Sequence, residues 1–322
     1  MARVVVSGAT GFLGGAVVRH LRQNGHGVVA LGRDRGRCAV LARQGATACF
    51  DLSLPLPDRL AQKIGAADAF VHCAALSSPW GRLAAFEAAN VTGTANALHL
   101  AKALGVRRFV NISSPTICFA LRDQLNLAED QPLPPPINAY AQTKAAAERL
   151  VLDQPDLGPV NLRPRGLYGP GETTLLPRLL AAAKHGRLPM IGQGGAIDLT
   201  YISDAVAAVE AALFAPVAAQ GQTFHISGGE MASIRDIVEQ TCAAFGQQVR
   251  WRPVPLAPAM MLARAAQAVS LILPGGREPR ITPYALGLFA YRQSLDISKA
   301  ANMLGWAPKV GFSAGLAMTV SL

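Results

Sequence analysis

RVVVSGATGFLGGAVVRHL, residues 3–21, runs from an unbroken β-branched segment through a glycine-rich turn into an amphipathic helix. Val4–Val6 show no polar alternation, as expected of a strand buried on both faces of a parallel sheet. Gly8, Gly11 and Gly14 recur at intervals of three and open the helix predicted over Leu13–Gln23. Each has its own task. A tight strand-to-helix turn needs φ values that a Cβ disfavours. Bare backbone lets a pyrophosphate approach the N–H groups and the positive end of the helix dipole. The third glycine lets helix and strand pack closely. Because the motif directly follows an apolar strand and opens a helix, Gly8, Thr10, Gly11, Phe12, Leu13 and Gly14 are read as a dinucleotide cradle.

Working outward, short apolar runs alternate with helical patterns. Strands are predicted at Val4–Ser7, Gly27–Leu31, Ala46–Phe50, Ala69–Cys73, Arg108–Ile112 and Val160–Leu162. Helices are predicted at Gly36–Arg43, Asp58–Lys63, Ala84–Leu104 and Ala139–Leu152 between them. This alternation implies right-handed βαβ units with helices on both faces of the sheet. After Pro164 helical patterns (Thr174–His185, Ser203–Phe214, Ser233–Phe245, Pro258–Ile272) are cut by many Gly and Pro breaks, while Thr223–Ser227 reads as one more sheet strand. The expected fold is α/β, a doubly wound parallel (Rossmann) sheet with a smaller, non-contiguous C-terminal substrate domain. Residues 1–163 make the dinucleotide-binding part, with 200–227 returning to it, and 164–199 and 228–322 the substrate cap.

Composition narrows the class. Of the 322 residues 51% are hydrophobic and only 16% charged, which excludes a disordered chain. No uncharged apolar run is long enough for a spanning helix, and the chain opens on RVVVSGATG with no basic leader, so a cytoplasmic protein is expected. The formal charge of +10 is spread thinly and aromatic residues are only 6%, so no nucleic-acid partner is expected; a phosphate-bearing small molecule suits the charge. The five cysteines form no C-x-x-C pair and are read as buried free thiols; no metal site is expected.

The end of the second predicted strand selects the dinucleotide. An acidic residue there binds a ribose 2′-OH, whereas an arginine accommodates a 2′-phosphate. Here Gly32 stands where the carboxylate is expected and Arg33 follows, with Arg35 and Arg37 near. NADP(H) is the favoured cofactor; Asp34, if free to take the acidic role, leaves NAD open. Asp51 and Leu52 are candidates to hold the adenine ring.

Tyr140 and Lys144 form Y-x-x-x-K, which puts a phenol and an ammonium on one helix face. An unperturbed phenol titrates near pH ~10, and a neighbouring positive charge pulls that value down toward the working range of a general acid/base. Ser114, beyond the fifth strand in FVNISSPT, is placed to donate to a substrate oxygen; Ser113 is its rival.

These motifs resemble the extended short-chain dehydrogenase/reductase (epimerase/dehydratase) superfamily over essentially the whole chain. The matches are GATGFLG (8–14), HCAALSSPW (72–80), ISSPT (112–116), NAYAQTK (138–144), LRPRGLYGPG (162–171) and DLTYISDAVAA (198–208). The resemblance implies that Ala74, Ala75, Pro164 and Leu167, with Tyr140 and Lys144, line the cofactor. RPRGLYGPGETTLLPRLL, EPRIT and LDISKAANMLGWAPK look most like the 3β-hydroxysteroid dehydrogenase and 2-alkyl-3-oxoalkanoate reductase type. Two departures stand out. Ile197-Asp198 lacks the arginine that grips a sugar-nucleotide phosphate in the epimerases, a task left to Arg187 or Arg280, and Cys118-Phe119 replace a common Tyr-Gly. Many relatives pair through helices flanking the active site, so a homodimer is expected by analogy.

On the substrate side, Leu256–Leu273 is strongly apolar, with Arg264 its only charge. It is read as a core or lid helix, with an apolar channel or shallow docking on a membrane surface as the sharper readings. Met260 and Met261 are read as gap-filling core residues, Trp80 as a loop anchor, and His72 and His225 as satisfied core histidines. The favoured function is an NADP(H)-dependent oxidoreductase acting on the secondary alcohol or ketone of a largely apolar small molecule, a β-hydroxy/β-keto acid or a hydroxysteroid. Its rivals are a nucleotide-sugar epimerase/dehydratase holding NAD tightly and a non-enzymatic NADP(H) sensor.

Overall fold

In the computed structural model, which describes residues 1–184, 186–273, 277–279 and 281–320, the chain builds one large parallel sheet and several smaller ones. The strands are β1 (Arg3–Ser7), β2 (Gly27–Gly32), β3 (Thr47–Cys49), β4 (Ala69–His72), β5 (Arg108–Ile112), β6 (Gln124–Leu127), β7 (Pro159–Pro164), β8 (Leu167–Tyr168), β9 (Arg187–Ile191), β10 (Ala196–Asp198), β11 (Thr200–Tyr201), β12 (Gln222–Ile226), β13 (Met231–Ser233), β14 (Arg250–Val254) and β15 (Arg292–Leu295). The helices are α1 (Phe12–Gln23), α2 (Arg35–Ala42), α3 (Arg59–Ile64), α4 (Leu83–Phe86), α5 (Gly93–Ala103), α6 (Ala139–Leu152), α7 (Leu175–Ala183), α8 (Ile202–Phe214), α9 (Ile234–Ala244), α10 (Leu256–Ile272), α11 (Pro283–Ala290), α12 (Ser298–Leu304) and α13 (Phe312–Val320).

The large sheet has the order β12-β7-β5-β4-β1-β2-β3, all parallel. The run Val4–Val6 is unbroken because both faces are covered. Val4 and Val6 pack with α1 and α8 through Val17, Val18, Leu21, Val206 and Val209. Val5 faces the other way, onto Phe70, Phe109, Leu98 and Ala101. Chain direction across the sheet reverses between β1 and β4, which opens the ligand crevice at their carboxyl ends. Ser7, His72, Asn111, Asn161 and Thr223 stand in register across five strands, a polar row buried at all but the half-buried Thr223. Asn111 Nδ2 donates to Asn161 Oδ1 at 2.8 Å within it.

The second sheet, β13-β10-β15-β6, sits beyond the carboxyl edge, and β9 pairs with β14 beside it. One of its strands, β6, comes from within residues 1–163, and β12 returns from the later chain to close the large sheet.

Several expectations change. The single helix predicted over Ala84–Leu104 is α4, a π-helical turn at Glu87–Thr92 and α5, with Asn90 buried in the turn. The predicted Thr174–His185 helix ends at Ala183, and His185 lies outside the described residues. The thiols are free, but Cys49 is exposed, since edge strand β3 turns it to solvent. Leu256–Leu273 is not a core helix: only Met260 and Ala263 of α10 are buried, while Met261 is 71% exposed. The helix packs on the rest of the chain along one narrow stripe, too little to cover it.

Candidate active site

The glycine turn and the loop after β4 meet at the switch point. Gly8 has φ +67°, and a Cβ on it would lie 2.7 Å from the Ala74 nitrogen. A methyl on Gly14 would strike the Gly8 carbonyl oxygen. Gly11 precedes α1 with no side-chain cap, so the first-turn N–H groups of Phe12, Leu13 and Gly14 are left for an anion. These are the features a dinucleotide pyrophosphate requires, and the residues present fit it. Ala74 is half-buried and Ala75 exposed beside the turn; Pro164 ends β7 and Leu167 lies in β8, both half-buried.

A hydrogen-bond relay fixes this loop. Ala74 N–H donates to Ser7 Oγ at 3.5 Å, and Ser7 Oγ is 2.8 Å from His72 Nδ1. His72 Nε2 is 3.0 Å from Thr94 Oγ1, whose own hydroxyl donates to Asn90 O at 2.6 Å. Thr94 therefore accepts from Nε2–H, and His72 is neutral with Nδ1 accepting from Ser7. Burial agrees, pulling His72 down to about 3. Asn90 then clamps the loop to the next helix: Oδ1 accepts from Leu76 N–H at 2.7 Å, and Nδ2 donates to Thr143 Oγ1 at 3.1 Å.

Asn138 starts α6 by accepting from Ala141 N–H at 2.8 Å, two residues ahead of Tyr140. Tyr140 and Lys144 follow on one face. Ser114 caps the short turn after β5, donating to Thr116 Oγ1 at 2.9 Å. The Ser114 and Ser77 hydroxyls act on the Tyr140 phenol, favouring its ionised form. Ser113 instead continues the strand, its N–H donating to Leu162 O at 2.7 Å, and its Oγ is buried without a partner among the described residues. Ser114, not Ser113, thus acts on the Tyr140 phenol.

The phenol differs from expectation. Burial raises Tyr140 above its ordinary value, Ser114 and Ser77 work against this, and the Tyr284 charge adds to the rise. Lys144 Nζ is fastened to the Ile112 carbonyl at 2.6 Å, and burial lowers it to about 8. Its stabilising partners are Glu148 and Cys73, so the ammonium is spent at the end of β5 rather than on the phenol.

At the adenosine end, Asp34 Oδ1 accepts from Arg37 N–H at 2.8 Å as the cap of α2, which occupies the alternative acid. A Cβ at Gly32 would come 2.7 Å from Thr10 Cγ2, so a side chain there would require Thr10 to shift. Arg37 Nη1 donates to Thr10 O at 3.1 Å, which draws its guanidinium to the glycine turn. Arg33 is exposed and faces Asp51 at 3.7 Å. Asp51 Oδ1 accepts from Ser53 N–H and Oγ in a local turn while its Oδ2 faces Arg33, and Leu52 is buried.

Sequence reasoning missed the substrate wall. Tyr284 of α11 shares a 3.2 Å hydrogen bond with Thr116 Oγ1, extending the Ser114 chain into the cap, and stacks edge-on against Phe119 at 5.5 Å. Arg165, buried, lies 3.2 Å from Asp198 Oδ1 and interacts electrostatically with Tyr284. Its Nη1 is buried without a partner among the described residues. Cys118 accepts from Arg163 at 3.4 Å, and Arg163 forms a bidentate 2.8 Å pair with Glu148. Trp80 is half-buried in the loop that carries Ser77, and its indole N–H has no partner among the described residues. Arg187 is exposed on β9, and Arg280 lies outside the described residues. No signal short of knowing that α11 crosses the crevice could have found Tyr284.

Among the described residues no cluster could hold a metal ion, and no helix is long and apolar enough to cross a membrane. The chain is similar to the 2-alkyl-3-oxoalkanoate reductase of Stenotrophomonas maltophilia, 30% identical over 98% of this chain and 97% of that one. It is similar to a decarboxylating sterol-4-alpha-carboxylate 3-dehydrogenase of Saccharomyces cerevisiae, 32% identical over 79% of this chain and 76% of that one. A UDP-glucuronic acid 4-epimerase from Bacillus cereus, solved with NAD, shares the fold: TM-score 0.77 at 23% identity, covering 99% of this chain and 97% of that one. Residues 4–227 match the NAD dependent epimerase/dehydratase family. The chain therefore belongs to the NAD dependent epimerase/dehydratase family and is an NAD(P)-dependent enzyme of the extended short-chain dehydrogenase/reductase type.

Proposed function

We propose that the protein is an oxidoreductase preferring NADP(H) that interconverts a secondary alcohol and a ketone on a largely apolar β-hydroxy/β-keto acid. The observation that carries this reading is the convergence of Ser114, Tyr140 and the Thr116–Tyr284 chain at the carboxyl edge of the sheet. The glycine turn, Ala74, Ala75, Pro164, Leu167 and Lys144 would hold the cofactor, which when bound supplies or accepts the hydride. The chain's side chains do the rest. Ser114 Oγ donates to the substrate oxygen and shares its developing charge. Tyr140 gives its phenolic proton to that oxygen in reduction and takes it back in oxidation. Lys144, held at Ile112 O, would position the nicotinamide ribose beside Tyr140.

Arg37 at the glycine turn, and Asp34 engaged as a cap, support NADP(H) over NAD. The spare Nη1 of Arg165 near Tyr284 supports an acid over a neutral steroid, since a carboxylate would satisfy a buried donor. The resemblance also supports a homodimer. The test is turnover of NADPH and NADH against 2-alkyl-3-oxoalkanoates, 3-ketosteroids and UDP-sugars. Reduction of the keto acids, faster with NADPH, is expected; conversion of UDP-sugars alone would overturn the reading.

A further inference from the structure

α10 is apolar on its exposed side as well as on the side it buries. Met260, Ala263, Gln267 and Ser270 form one helical stripe, and it is this stripe, with both polar residues, that turns inward. Met260 and Ala263 pack there with Leu286 and Ala290 of α11. The opposite stripe, Met261, Leu262, Ala265, Ala268, Val269 and Ile272, carries no polar side chain and faces out. Ile272 is 80% exposed, Leu262 73% and Val269 56%, and Leu273 prolongs the face. A contiguous apolar face of this kind marks an interaction surface.

The charges of the chain segment that carries it select the partner. From Gln240 to Arg277 there is no acidic residue, and Arg250, Arg252, Arg264 and Arg277 are all exposed. The next acid, Glu278, lies 3.4 Å from Arg178 and is neutralised by it. A second copy of the chain, itself of formal charge +10, would set the same arginines against one another. An apolar layer bordered by negative charge satisfies both features. We propose that α10 docks the protein on an anionic lipid surface, lying in the interface plane with its outward stripe at the boundary of headgroup and acyl chains. α11, which carries Tyr284, packs directly behind it, so the substrate wall stands one helix from the lipid.

The test is co-sedimentation of the full chain with vesicles of phosphatidylglycerol mixed with phosphatidylcholine, and with phosphatidylcholine alone. Binding to the anionic vesicles is expected, weakening as salt is raised. The double variant Leu262→Glu/Ile272→Glu should lower the partition coefficient about a hundredfold, and Arg264→Gln about fivefold. Wild-type protein that binds neither vesicle, or a double variant that binds as well as wild type, would overturn the proposal. So would a dimer in light scattering that the double variant dissociates while no vesicle binding is seen, since the face would then belong to a second copy.

Discussion

Tyr140 is held by opposing influences: burial raises its phenol, while hydroxyls from Ser114 and Ser77 lower it. Removing Ser114 removes one of them and also the donor that we propose for the substrate oxygen. Ser114→Ala is expected to lower kcat about 10²–10³-fold with the Kd for NADPH unchanged, measured by steady-state turnover and fluorescence titration. Arg37 is a second residue whose role is separable. It reaches the glycine turn through Thr10 O, so Arg37→Ala should raise the Kd for NADPH about tenfold and leave that for NADH alone. Equal losses for both cofactors would remove Arg37 from cofactor selection. Y-x-x-x-K and the serine after the fifth strand were legible in the chain because their spacing is local. Ser77, Asn90 and Tyr284 were not, because each reaches the site from a different element, and only packing brings them there.

Among the elements, the β1–α1 turn bears most on function. Its glycines leave no room for a methyl: at Gly14 it would strike the Gly8 carbonyl, and at Gly8 it would meet Ala74 in a left-handed backbone. Gly14→Ala should therefore destabilise the fold by about 1–3 kcal/mol and abolish NADPH binding, read by thermal melts with and without cofactor. A variant that still gains stability from NADPH would contradict the cradle. The turn could be read from residues 3–21 alone, since strand, glycines and helix are consecutive. The π-helical turn at Glu87–Thr92 could not, because Asn90 is drawn inward by Leu76 and Thr143, partners distant in sequence. α10 was misread for a related reason: its apolar content is plain, but which way it faces depends on α11.

For the molecule as a whole, the buried polar groups make stability depend on pH. His225 Nδ1 lies 2.9 Å from Leu127 O and its Nε2 3.3 Å from Arg163 Nη1, an arrangement that keeps the ring neutral. Burial lowers both His72 and His225 from 6.5 to about 3. Between those values the unfolded chain binds protons that the folded chain does not, so stability is full above pH 6.5 and is lost as pH falls toward 3. Chemical denaturation across this window should show that loss at up to about 3 kcal/mol per pH unit; a flat profile would place the two rings in solvent. The whole assembly of sheet, relay and cap serves to present one phenol beside a cofactor crevice. Its direct test is Tyr140→Phe, with NADPH affinity and single-turnover reduction of a 2-alkyl-3-oxoalkanoate measured on the same protein. Affinity should be unchanged while the rate falls about 10²–10⁴-fold; a rate equal to wild type would contradict the account at its centre.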